Sequence, residues 1–269
     1  EDVAGGLVET AGSSRDLRDK LSERGLVYDR KTAFETGIPG ILTTGNAILS
    51  RCKIQFKFFK FLPVTSEQIE IEAFGDSAIP ITRNLMLVRI KIPGAPKRFR
   101  KINIYNTHLC AGSGGSAVLE NITVNVSGCT VDERDNQVVS MLRFVKHAER
   151  FLSFFSEKPH ILGGDFNIDN FRGGEPEKFG SEKSLYDTII DAGFIDAYAE
   201  SQVNNGIPLE NLCVRREDPF EPFPGVFQSW EPDAHCTTGV SFLDLLEPDQ
   251  SFPEFFDSTP RRIDYVFQK

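Results

Sequence analysis

A chain of 269 residues can bury a sizeable core as one large α/β domain without metals or disulfides to hold it together. Its 40% hydrophobic and 26% charged residues are those of a globular protein, and a net charge of −9 counts against a large nucleic-acid footprint while leaving room for a local basic strip. No apolar run is long enough to span a bilayer, and the compositional outlier is phenylalanine, with 23 Phe against one Trp and five Tyr.

The run from Val3 to Val8 reads as a buried strand ending at Glu9. Ser14 then caps a helix with Leu17 and Leu21 on one face, stopped at Gly25. Ala47-Ile48-Leu49 and the Phe-rich segment Lys53–Leu62 read as strands, followed by Ile69–Ala73, Asn84–Ile92 and Lys101–Thr107. Residues 110–130 are small and polar and predict a loop. A helix is expected from about Asp135 to Ser156, carrying Val138, Met141, Leu142 and Val145 on its apolar face. His160-Ile161-Leu162 reads as a strand entering Gly163-Gly164, and a helix over Glu182–Ala192 stops at Gly193. Residues 201–260 predict mostly loop, and Arg262–Phe267 a closing strand. With neither repeat nor linker, the expected layout is two packed sheets with helices outside.

Five cysteines, Cys52, Cys110, Cys129, Cys213 and Cys236, leave at least one thiol over if the rest form two bridges. Cys110 and Cys129 bracket a Gly/Ser-rich insertion, and Cys213 and Cys236 bracket a Pro/Phe-rich loop. Bridges that staple loops belong to oxidising compartments, so the expectation leans to a secreted or extracytoplasmic protein over a cytoplasmic one. Asn121-Ile122-Thr123 and Asn125-Val126-Ser127, in the same insertion, read as glycosylation sequons.

The strongest chemical signal is Gly163-Gly164-Asp165-Phe166-Asn167, directly after an apolar strand. The glycines allow a sharp turn and a close backbone approach, and the acid and amide two residues apart suit activation and orientation of water beside a phosphate. Asn106-Thr107-His108-Leu109 ends another strand, with Arg134 and Gln137 downstream. Arg262-Ile263-Asp264-Tyr265-Val266-Phe267 carries a single acid, and Gly45-Asn46-Ala47-Ile48-Leu49-Ser50-Arg51 forms a fourth segment.

The order and spacing of these motifs, from about Asp2 to Phe267, resemble the endonuclease/exonuclease/phosphatase superfamily. It includes pancreatic-type DNases, abasic-site endonucleases, inositol polyphosphate 5-phosphatases and bacterial sphingomyelinases. The resemblance implies a four-layer α/β/β/α sandwich of two packed mixed β-sheets flanked by helices, and a phosphodiesterase dependent on Mg²⁺ or Mn²⁺. It further implies that Asp165 binds or deprotonates the attacking water, that Asn167 orients water and phosphate, and that His108 stabilises charge on the phosphoryl oxygens. Asp264 would orient a catalytic histidine further along, and Glu9 would hold the metal. The family pattern usually opens with an Asn-bearing strand and closes with an Asp-His pair, and this sequence contains neither. The expectation is therefore a single domain over 1–269 lacking its first and last strands, and weakly active or inactive in isolation.

The remaining polar candidates read first as structural: His147 on an outer helix face, His160 opening a strand, His235 in a loop with approach to the site as its less favoured reading, and Arg51 and Arg83 pairing with surface acids, with a place near the phosphate as theirs. The negative charge, with Phe56, Phe58, Phe59 and Phe61 and later Phe252, Phe255 and Phe256, favours a phospholipid head group as substrate, with peripheral membrane contact. Core packing is the competing reading for the first Phe segment. A secreted nuclease acting on DNA is the alternative, with Lys97, Arg98, Arg100 and Lys101 as its compact basic strip. A non-catalytic binding protein on the same fold is the alternative of a different class.

Overall fold

The computed structural model describes residues 4–5, 13–38, 42–71, 78–112, 115–119, 122–152, 159–168, 185–205 and 264–269. Its centre is a six-stranded mixed sheet. In spatial order its strands are β12 (Ile195–Asp196), β13 (Asp264–Gln268), β11 (His160–Asp165), β8 (Lys101–His108), β7 (Arg83–Lys91) and β4 (Lys53–Leu62). β11 and β8 are parallel, and the other neighbours are antiparallel.

Strand β7 explains the sheet's position. Its burial is nearly unbroken, as befits a strand covered on both faces. Leu85 and Leu87 face one core, while Met86, Val88 and Ile90 face the other. The first core is closed by α2 (Val131–Leu152), through Val138, Met141 and Val145, and by the helical residues 185–191 (α3), through Leu185 and Ile189. Each fully buried Leu or Phe there contributes roughly 1.5–3 kcal/mol. The second core lies against an antiparallel sheet of β1 (Ala4–Gly5), β3 (Leu42–Ser50) and β2 (Asp29–Ile38), in the order β1-β3-β2. Helix α1 (Ser13–Glu23) contacts β2 and β3. The layers are therefore α, β, β, α, as expected, although the smaller sheet is antiparallel rather than mixed among the described residues.

A third sheet stands apart, in the order β6 (Ala78–Pro80), β5 (Gln68–Ile71), β10 (Ile122–Val126), β9 (Gly115–Leu119). It corrects the expected loop over 110–130. Glycine and serine dominate that segment's composition, but Ile122, Val124 and Val126 alternate along a strand that pairs with both β5 and β9. Strand β2 and the helix Ala197–Asn204 (α4) also form where no element was expected. Helix α2 begins four residues earlier than its apolar period suggested. Thr130 and Glu133 form a reciprocal capping box there, with Glu133 N donating to Thr130 Oγ1 and Thr130 N to Glu133 Oε2.

A disulfide joins Cys110 to Cys129, tying the end of β8 to the start of α2. A loop of that length is worth about 3 kcal/mol in the chain-entropy account. Cys52 is a free thiol. Cys213, Cys236, His235, Asn121 and the second Phe segment lie outside the described residues.

Candidate active site

The parallel pair β8 and β11 brings two motifs together at the ends of neighbouring interior strands. In register, Gly164 lies beside Thr107 and Asp165 beside His108. Gly164 has φ +137, and a Cβ there would sit 1.9 Å from the Thr107 carbonyl oxygen. Only glycine lets β11 approach β8 this closely, which is the physical content of the Gly-Gly step. The chain then turns at Asn167, whose φ is 49. Asn167 N donates to Asp165 Oδ1 (2.9 Å), Asn167 Nδ2 to the Leu109 carbonyl (2.7 Å), and Leu109 N to the Asp165 carbonyl (2.9 Å). The left-handed turn is thus held from both strands. Arg134, buried at the start of α2, donates from Nη1 to the Asn167 carbonyl at 3.0 Å. Gln137 accepts the Cys110 N–H at 3.0 Å.

With Oδ1 engaged in the turn, Asp165 Oδ2 lies 3.7 Å from His108 Nε2. On the other side of the ring, Arg83 Nη1 lies 2.6 Å from His108 Nδ1, and Glu35 Oε2 lies 3.8 Å from it. A guanidinium has no acceptor, so in the neutral ring Nδ1 must accept from Arg83 and the proton sits on Nε2, facing Asp165. An N–H donor and a carboxylate oxygen thus stand side by side, groups suited to a phosphoryl oxygen and a water.

Arg83 is fixed by carboxylates. Its Nε donates to Glu67 Oε2 at 2.8 Å, its Nη2 donates to Glu67 Oε1, and Glu35 Oε2 lies 3.5 Å from Nη1. Glu35 Oε1 accepts from Asn46 Nδ2 (2.8 Å) and Asn84 N (3.3 Å), and Asn46 Nδ2 also lies 3.1 Å from Asn84 Oδ1. Glu35, Glu67, Arg83, Asn46 and Asn84 are all buried. Buried charges at this density persist only when paired and hydrogen-bonded, as these are.

Arg83 therefore departs from expectation, because its acids are buried and it touches His108. Glu35 and Glu67 had not been singled out. The usable signal was an arginine and an asparagine opening an otherwise apolar strand, Arg83-Asn84-Leu85-Met86-Leu87. Asp264 lies beside Asp165 in the antiparallel β13–β11 pairing. Glu9 lies outside the described residues. His147 is exposed on α2, where Nδ1 lies 2.8 Å from the Arg143 carbonyl. His160 is buried, stacked on Tyr105, with Nδ1 3.0 Å from the Tyr105 hydroxyl. Both match the structural roles expected of them.

No group of three or more His, Cys, Asp or Glu suited to a metal occurs among the described residues. Glu35 and Glu67 are committed to Arg83. Asp165, its side chain 23% exposed, is the carboxylate of the described site open to solvent. A hard ion such as Mg²⁺ needs only one or two carboxylates, completed by water and substrate oxygens, so this donor chemistry fits one when a second acid is supplied.

Among solved structures, the fold matches an endonuclease/exonuclease/phosphatase from Beutenbergia cavernae, 18% identical across the whole chain with a TM-score of 0.53. An endonuclease/exonuclease/phosphatase family protein from Leptotrichia buccalis is 15% identical over the whole chain, with a TM-score of 0.49. One from Bacteroides thetaiotaomicron is 15% identical over 94% of it, with a TM-score of 0.44. The chain spans 55%, 73% and 64% of those three chains in turn. No family model and no curated protein matches the sequence. The chain has the endonuclease/exonuclease/phosphatase (DNase I-like) fold.

Proposed function

We propose that this chain is the catalytic body of a metal-dependent phosphoesterase that hydrolyses a phosphodiester, with a phospholipid head group as substrate. The observation that carries the reading is the pairing of His108 Nε2 with Asp165 Oδ2, 3.7 Å apart on neighbouring parallel strands. Asp165 accepts a proton from, or a hydrogen bond of, the attacking water. His108 donates from Nε2 to a phosphoryl oxygen as charge builds there. Arg83 holds the ring in that tautomer, and Asn167 fixes the turn that aims Asp165. Asp264, beside Asp165 in the sheet, orients a histidine from a more distant part of the protein. Glu9 is the carboxylate that would hold Mg²⁺ or Mn²⁺, leaving Asp165 to the attacking water, and the ion would polarise the phosphoryl oxygen as a Lewis acid. The disulfide supports a secreted or extracytoplasmic setting.

DNA is the weaker substrate. The compact basic strip, Lys97 to Lys101, ends on the first residue of β8, and His108 ends that strand, roughly 23 Å further along at the rise of a β-strand. The test is hydrolysis by the full-length protein on sphingomyelin vesicles and duplex DNA, with Mg²⁺, with chelator, and with Asp165→Ala. Chelator-sensitive turnover of lipid, lost in the variant, is expected. Turnover of DNA alone would move the substrate, and no metal-dependent turnover of either would favour a non-catalytic binding protein on this fold.

A further inference from the structure

Strand β4 is an edge of the six-stranded sheet, and it exposes Phe58 (52%), Phe59 (46%) and Phe61 (54%). Core packing was the competing reading for these side chains, and it holds only for Phe56, which packs against the α2 core. Lys60 Nζ reaches the Ser140 carbonyl on α2, whereas Lys57 Nζ reaches the Thr32 carbonyl on β2. Side chains alternate along a strand, so the exposed rings sit on both sides of the edge. Strand β2 runs beside β4 in the same direction, since Asp29 accepts from Ile54 N and Thr32 from Lys57. That brings Phe34, also 52% exposed, to the level of Phe59.

The rings cluster at the site end of the strand. Phe61 is in register with Asn84 and Leu62 with Arg83, while Phe34 precedes Glu35 in sequence. Aromatic side chains therefore rim the candidate site without belonging to it.

Charge distinguishes the possible occupants. The chain carries −9, yet residues 51–66 contain Arg51, Lys53, Lys57 and Lys60 and no acid. At the far end of the edge, Lys53, Lys91 and Lys101 stand side by side on β4, β7 and β8. Like charges directly opposite one another destabilise a sheet, and none of these three lysines has an ion-pair partner among the described residues. Lysines along an edge also discourage pairing with the same edge of a second copy. Phenylalanine with interleaved lysine suits an anionic lipid–water interface, where rings enter the headgroup layer and ammonium groups meet lipid phosphates.

We propose that the β4 edge is an interfacial docking rim, by which Phe58, Phe59, Phe61 and Phe34, with Lys57 and Lys60, seat the protein on an anionic phospholipid bilayer beside the His108–Asp165 site. This deepens the phospholipid reading and rests on it for its purpose, but binding can be measured without turnover.

The experiment is partition of the chain onto phosphatidylcholine vesicles with and without phosphatidylserine, at low and high salt, with duplex DNA as a parallel probe. Partition that requires phosphatidylserine and falls with salt is expected. Phe59→Ser with Phe61→Ser should weaken it roughly tenfold or more, and Lys57→Glu with Lys60→Glu about as much. Ile195→Ser, an exposed position on β12 at the opposite edge, should leave it unchanged. Circular dichroism confirms that each variant folds, and the lysine pair decides the matter if the phenylalanine pair does not. No partition onto either vesicle, wild-type partition by folded edge variants, or binding to DNA instead of vesicles overturns the rim. Hydrolysis of a water-soluble aryl phosphodiester separates the two ideas. Retained hydrolysis without vesicle binding removes the rim and leaves the proposed function. Vesicle binding without hydrolysis does the reverse.

Discussion

His108 and His160 lie on the same pair of parallel strands, one ending β8 and the other opening β11, and their surroundings are opposite. His160 is 4% exposed and meets Tyr105, with Asn103 Nδ2 3.4 Å from its Nε2. Burial pushes its pKa below the ordinary value, with Lys269 and Arg89 adding to the effect and Glu149 opposing it. His108 sits instead between a buried Arg–Glu network and a carboxylate that reaches solvent. A neutral donor–acceptor cluster locks a ring for packing. Charges on both sides of a ring, one of them on a solvent-reaching carboxylate, suit it to meet a ligand. Residue type and strand position are shared, so the neighbours make the difference.

Substitution should split the pair most sharply. In the full-length protein, His108→Ala is expected to cost the proposed phosphodiesterase turnover roughly 10²–10³-fold with little change in melting. His160→Ala should leave turnover intact but destabilise by about 3 kcal/mol, since it opens a cavity and strands the Tyr105 hydroxyl. Equal losses of turnover in the two variants would erase the distinction. A pH series sharpens it. Below the ordinary histidine value of 6.5 the unfolded chain takes up a proton that folded His160 resists. Its contribution to stability is therefore complete above that pH and declines as pH falls through it. The wild-type melting temperature should show this decline, and His160→Phe should flatten it.

Glu35 tests the other environment. Removing it by Glu35→Ala takes away one of the two buried carboxylates that Arg83 meets among the described residues, at a cost of roughly 3–5 kcal/mol. Glu35→Gln should be milder in stability, because the amide can still accept from Asn46 and Asn84 N. It should lower kcat with little effect on KM if Arg83 then shifts off His108 Nδ1. A Gln variant with wild-type kcat would show that the network is structural only.

The same contrast explains what the sequence could reveal. Gly163-Gly164-Asp165 and Asn106-Thr107-His108 were legible because strand, glycine and polar residue are contiguous, and the register that joins them follows from parallel pairing. The apolar run of β7, the alternation of β8 and the Phe-rich β4 were legible for the same local reason. Glu35, Glu67 and Arg83 were not, because Arg83 meets its two acids 16 and 48 positions away along the chain and each alone looks like a surface charge. The exposure of Phe58, Phe59 and Phe61 was equally hidden, since it depends on β4 being an edge. The hairpin of β9 and β10 was masked by composition, its partner β5 lying more than fifty residues earlier.

Glu133 is the smallest test and the most local. Its Oε1 accepts from Thr65 N (2.8 Å) and Ser66 N (3.0 Å), while Oε2 accepts from Thr130 N (3.0 Å). It therefore ties the turn after β4 to the start of α2, next to Arg134, which holds the Asn167 turn. Partial burial opposes ionisation, but hydrogen bonds from Ser66, Thr65 and Thr130 outweigh it and bring its carboxyl from 4.5 down to about 2. A depressed carboxyl stabilises the fold above its unfolded value, and that contribution is lost as pH falls from about 4.5 towards 2. Glu133→Gln is expected to cost about 1 kcal/mol at neutral pH, the scale of a helix cap, and to flatten this acid limb. Because the carboxylate fixes the start of α2, the variant should also loosen Arg134 and reduce turnover slightly. An unchanged acid limb would mean that the cap stabilises by geometry alone, with its charge contributing nothing.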